Sequence, residues 1–93
     1  MTENHDQYIR FFKALANQER IQILLLLKKN KEMFAQDIER HFYLEQSTTS
    51  HHLNLLKRAG ITKSRKEGRK IFYSIDEVQF SQLWKSFETV FFA

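Results

Sequence analysis

The apolar residues of this chain hold a helical period as far as Gly60 and then change to alternation at every second position. That change constrains the fold more than any other feature. A stripe of period 3.6 buries one side of a helix, whereas a period of two needs a strand with one covered face. Proline is absent and the only glycines are Gly60 and Gly68. The remaining boundaries must therefore be read from polar caps and from breaks in the stripe.

Before the change, HDQYIRFFKALA sets Tyr8, Phe12 and Leu15 at i, i+4 and i+7, which predicts a first helix over 5–16. Asn17 suits the N-cap of a second helix, QERIQILLLLKK. That run is apolar nearly all round and is expected in the middle of the core. KNKEM reads as a polar connection. AQDIERHF, from Ala35, gives a short third helix with Ile38 and Phe42 on one face. After Tyr43, Leu44 and Glu45 a fourth helix runs to Ala59, turning Thr49, Leu53 and Leu56 inward, and Gly60 stops it at C′.

Past Gly60, Ile71, Tyr73 and Ile75 alternate with Lys70, Phe72 and Ser74, the pattern of a strand with one buried face. ITKSRK is its partner, and Gly68 after Glu67 supplies the positive φ of a tight hairpin turn. A last helix over 77–92 carries Phe80, Leu83, Phe87, Val90 and Phe91 along one stripe. The expected fold is mainly α with a small β-hairpin: four helices, two strands and a final helix, in one domain over residues 1–93. This is a winged helix-turn-helix. The third and fourth helices form the turn motif and the hairpin forms the wing. In such a fold the start of the fourth helix enters the major groove of DNA, and the wing grips backbone beside it.

Charge points the same way. Residues 57–70 hold seven Lys or Arg against the single acid Glu67, a charge of +6, which leaves the other 79 residues at −2 of the total +4. A scattered excess usually makes only a solvated face; a basic cluster in one segment is a better polyanion surface. With no cysteine in the chain, disulfides, zinc-thiolate sites and thiol catalysis are excluded. No apolar run is long enough to span a bilayer, and the polar start, MTENHDQYIR, lacks the apolar core of a signal peptide. A cytoplasmic protein is expected. No nucleophile–base–acid set or phosphate-cradling glycine loop appears at useful spacing, so no enzyme and no cofactor is expected.

The strings FKALANQERIQILLLL, QSTTSHHLNLLKRAGI and SRKEGRKIFYSID, in that order and spacing, resemble the ArsR/SmtB family of bacterial winged-helix repressors over roughly residues 11–76. The resemblance implies a homodimer joined through its terminal helices that binds double-stranded DNA. By it, Gln46, Ser47, Thr48, Ser50 and His51 fall on recognition-helix positions that meet bases or phosphates. Lys57, Arg65, Lys66, Arg69 and Lys70 supply backbone cations from the helix end and the wing. The residue types suit those roles. Gln pairs bidentately with adenine, Ser hydroxyls adapt to several base edges, and wing cations neutralise phosphates without reading sequence.

The chain departs from the family pattern in places. Tyr43 stands where relatives commonly carry a small turn residue, Glu45 replaces a capping serine, and Thr49 replaces an aliphatic residue. The larger departure concerns sensing. Phe34 and Gln36 occupy the stretch where many relatives bind metal through cysteines. The helix after Asp76 has no histidine, so no family metal site is expected. His51 and His52 are adjacent and diverge by about 100° on a helix, which suits a DNA contact and a packed imidazole better than one chelated ion.

Nine Phe, three Tyr and one Trp exceed the needs of so small a core. Tyr8, Phe12, Phe80, Leu83, Trp84, Phe87 and Phe91 either cover the back of the domain or join two copies, and dimerisation is the reading that avoids an exposed apolar stripe. A ligand pocket within that aromatic seam is a further reading. The function expected is a dimeric repressor on an inverted-repeat operator. The alternative is a winged-helix interaction module that binds a partner protein or an apolar ligand. Neither the operator nor an effector is legible in the sequence.

Overall fold

In the computed structural model, which describes residues 5–92, the elements are α1 (Asp6–Leu15), α2 (Gln18–Asn30), β1 (Met33–Phe34), α3 (Ala35–Phe42), α4 (Gln46–Arg58), β2 (Thr62–Glu67), β3 (Lys70–Ile75) and α5 (Glu77–Phe92). The fold is a winged helix-turn-helix. Residues 1–4 and 93 of the expected domain lie outside the described residues.

The caps explain the helix boundaries. Asn17 Oδ1 accepts from the backbone N–H of Arg20 at 3.0 Å, an N-cap worth about 1 kcal/mol. At the end of α4, Gly60 N–H donates to Lys57 O and Ile61 N–H to Leu56 O, with Gly60 at φ +79°. This paired closure is a Schellman motif. The same closure ends α3: Tyr43 N–H donates to Arg40 O and Leu44 N–H to Glu39 O. Here the left-handed position is taken by Tyr43, at φ 56°, ψ 36°, which costs about 1–2 kcal/mol relative to glycine. Glu45 caps α4 without a side-chain hydrogen bond.

The core is built from Phe11, Ala14, Ile23, Leu27, Ile38, Leu53, Leu56, Ala59 and Ile61. Each fully buried aliphatic side chain among them contributes about 1.5–3 kcal/mol. α2 departs from expectation. Only Ile23 and Leu27 are buried on it, while Ile21 is 40% and Leu25 65% exposed. The other elements pack on one side of α2, so its apolar circumference is covered only in part.

The sheet has a third strand that the polar reading of KNKEM missed. Met33 pairs with Tyr73 and Phe34 with Phe72, giving the antiparallel order β1-β3-β2. Two residues are too few to show an alternation. In the hairpin, Glu67 pairs with Lys70 around the loop Gly68-Arg69, and φ is positive at Gly68 only, the requirement of a II′ turn. Tyr73 and Ile75 pack on the core as expected, but Ile71 is 40% exposed, because it lies further out along the hairpin than the covered body of the sheet.

Candidate nucleic-acid interface

α4 is two-sided. Thr49, His52, Leu53 and Leu56 are buried, whereas Gln46, Ser47, Ser50 and His51 are exposed and Thr48 is half-buried. The free stripe continues through Asn54 to Lys57 and Arg58. Asn54 sits three residues from His51 and four from Ser50, so it belongs to the same face. Helical spacing alone would have included it.

His52 fixes how that face is turned. Its Nδ1 lies 3.2 Å from an Nη of Arg20 and its Nε2 lies 3.6 Å from Glu19 Oε2. Arg20 also donates to Ala14 O at 2.7 Å and Lys13 O at 3.2 Å. One guanidinium thus joins the end of α1 and the start of α2 to α4. Burial pushes the His52 imidazole below its ordinary value, and Arg20 and His51 add to that; the Glu19 carboxylate opposes it. A neutral ring accepts from Arg20 at Nδ1, which leaves the adjacent His51 free to face outward.

The wing residues divide by strand parity. Lys57 Nζ donates to Ser64 Oγ at 2.7 Å, so the side of β2 that carries Ser64 faces the end of α4. Lys66 and its cross-strand partner Ile71 share that side. Arg65 points the other way. Its guanidinium donates to both oxygens of Glu32 and to Glu67 Oε2, and lies 4.6 Å over the Phe72 ring. Lys70 Nζ on the same outer side lies 5.2 Å over the Phe34 ring. Arg69 occupies the hairpin loop. Of the four wing cations read from the sequence, Lys66 therefore lies on the α4 side and Arg69 at the hairpin tip, while Arg65 is held in a carboxylate clamp and Lys70 lies over Phe34. Strand alternation carried that signal for Arg65.

The residues expected at a dimer interface also divide. Tyr8 is buried inside its own chain, with its hydroxyl 2.5 Å from Ser86 Oγ and its ring against Phe87. Phe80 packs edge-on to the buried Phe11. Phe12, Leu83 and Phe87 are half-buried, while Trp84 and Phe91 are exposed, together with Val90 of the same stripe and Ile9, which the sequence reading left out. Tyr8, Phe12, Phe87 and Phe91 line a groove of about 510 Å³ between α1 and α5.

Among the described residues no group of three or more His, Cys, Asp or Glu is placed to hold a metal, and no helix is long and apolar enough to cross a membrane. A short helix with a free polar edge, a turn before it and a cationic hairpin beside its end define a winged helix-turn-helix DNA-binding regulator.

The comparisons give its family. The model for bacterial regulatory proteins of the arsR family matches residues 17–64. The chain is 37% identical over 81 residues to a cadmium resistance transcriptional regulatory protein CadC homolog of Staphylococcus aureus, covering 87% of this chain and 67% of that protein. It is 42% identical over 65 residues to the transcriptional repressor SdpR of Bacillus subtilis, covering 70% and 71%. Among solved structures it is similar to the homodimeric winged helix-turn-helix DNA-binding domain of a possible ArsR-family transcriptional regulator from Mycobacterium bovis, with 31% identity, a TM-score of 0.76, and 97% of this chain and 86% of that chain covered. The chain belongs to the ArsR family of transcriptional regulators.

Proposed function

We propose that the chain acts as a single domain and as a homodimer that represses transcription by occupying an inverted-repeat operator. In this reading Gln46, Ser47, Thr48, Ser50 and His51 meet base edges and nearby phosphates, and Asn54 extends that face. Lys57, Lys66 and Arg69 neutralise backbone, with Lys70 a lesser contributor. Arg65 anchors the wing rather than touching DNA. The observation that carries this reading is the shared side of the exposed α4 edge, Lys57 and Lys66.

α1 and α5 form the dimer interface through Phe12, Leu83, Trp84, Phe87 and Phe91. The exposed apolar rings there, and the homodimeric M. bovis domain, support it. A two-fold axis then sets two recognition helices about 34–36 Å apart, one DNA turn of roughly 10 bp, so the operator is an imperfect inverted repeat. A bound dimer blocks polymerase at an overlapping promoter. Its target, chromosomal DNA, places it in the cytoplasm. In vitro transcription from a promoter that overlaps the bound repeat tests the direction of control. Loss of transcript on adding the protein is expected; a gain would assign activation instead.

A further inference from the structure

A second cationic site lies where the C-terminal end of α4 meets α1. Arg10 and Lys13, one turn apart on α1, and Arg58, in the last turn of α4, surround a cavity of about 420 Å³ with Leu55 and Ala14 at its floor. All three cations are exposed, and none is paired with an acid among the described residues. Arg20 stands at the rim with its donors engaged by Lys13 O, Ala14 O and His52. No carboxylate lines the cavity. Like charges set this close repel one another, and an anion between them removes the repulsion. The apolar floor adds a second requirement, since concave sites with apolar walls and a few converging polar groups suit small organic ligands.

We propose that this cavity binds a small organic anion with an apolar body, an aryl or short acyl carboxylate, and that the ligand acts on α4 as an effector. The effector role rests on α4 being the recognition helix; the binding does not. DNA backbone is the poorer occupant. A phosphate rail has nothing to place against Leu55 and Ala14. A ligand seated there touches both α4 and α1, the helix assigned to the dimer seam, so it bears on the spacing of the two reading heads.

The test is a titration of the isotope-labelled full chain with 1-naphthoate, free of DNA and followed by backbone amide shifts. The expected result is saturable shifts at Ala14, Leu55 and Arg58. 1-Naphthylmethanol, with the same rings and no charge, should bind about tenfold more weakly or worse, and the Arg10→Gln/Arg58→Gln variant should lose about tenfold while keeping a folded spectrum. Shifts confined to the Tyr8–Phe91 groove, equal binding of the alcohol, or no shifts in the folded protein would overturn the proposal. An equal loss of nonspecific duplex affinity in the double variant would mark the cavity as a DNA contact and overturn it as well. Because the titration contains no DNA, a failure of operator binding leaves its result readable. Naphthoate binding with operator affinity unchanged at saturation would contradict the effector role.

Discussion

Glu32 accepts from Arg65 at both carboxylate oxygens, 2.7 Å from one Nη and 2.8 Å from Nε, and ties the wing to the connection between α2 and β1. The same contact holds Glu32 below the ordinary carboxylate range and raises Arg65. A guanidinium already paired with two carboxylates has little charge to offer a phosphate. Arg65→Ala should therefore leave the salt dependence of DNA binding close to wild type, whereas Lys66→Ala and Arg69→Ala should each flatten its logarithmic slope by about one. Binding isotherms across a salt series check this. A larger slope change at Arg65 than at Lys66 would return Arg65 to the DNA contacts.

His52 makes stability depend on pH. Its folded value is lowered by burial, so between that value and the unfolded value of about 6.5 the unfolded chain binds more protons. Stability is full above about pH 6.5 and is lost as pH falls through the folded value. The added proton on Nδ1 would face the Arg20 guanidinium. Denaturant unfolding from pH 7.5 to 5 should show this loss, and His52→Gln should show less of it. Parallel pH profiles for the two proteins would refute the assignment.

Thr49 is 1% exposed, and its hydroxyl has no hydrogen-bond partner among the described residues. Leaving a polar group buried and unpaired costs about 1–3 kcal/mol. Thr49→Val keeps the shape and removes that group, so it should raise the unfolding free energy by about 1 kcal/mol. A destabilised variant would show that the hydroxyl is satisfied in solution.

Much of this was legible from single residues. Asn17 announced a cap, Gly60 a helix stop and Gly68 a turn, because each has a local backbone requirement that few other residues meet. The inward set of α4 was legible from its spacing. Leu25 was not: an all-round apolar helix gives no direction, and which side stays open depends on where the other elements pack. β1 escaped because pairing, not its own pattern, defines it. The Arg65 clamp needed both the parity of β2 and the position of Glu32, which is 33 residues away in sequence.

Phe91 is 63% exposed on the stripe assigned to the dimer seam, so a charge there should disturb the partner contact and spare the fold. Phe91→Asp should sediment as a monomer with an unchanged helical spectrum. A well-behaved dimer in this variant would move the interface elsewhere.

The most direct test of the central claim is competition binding to an inverted-repeat duplex selected by the protein from random sequence, for wild type, Ser50→Ala and His51→Ala. Wild-type binding should survive excess nonspecific DNA, and each variant should lose about 1–3 kcal/mol of discrimination with nonspecific affinity preserved. Selection of no repeat, or full discrimination retained in both variants, would contradict the central claim.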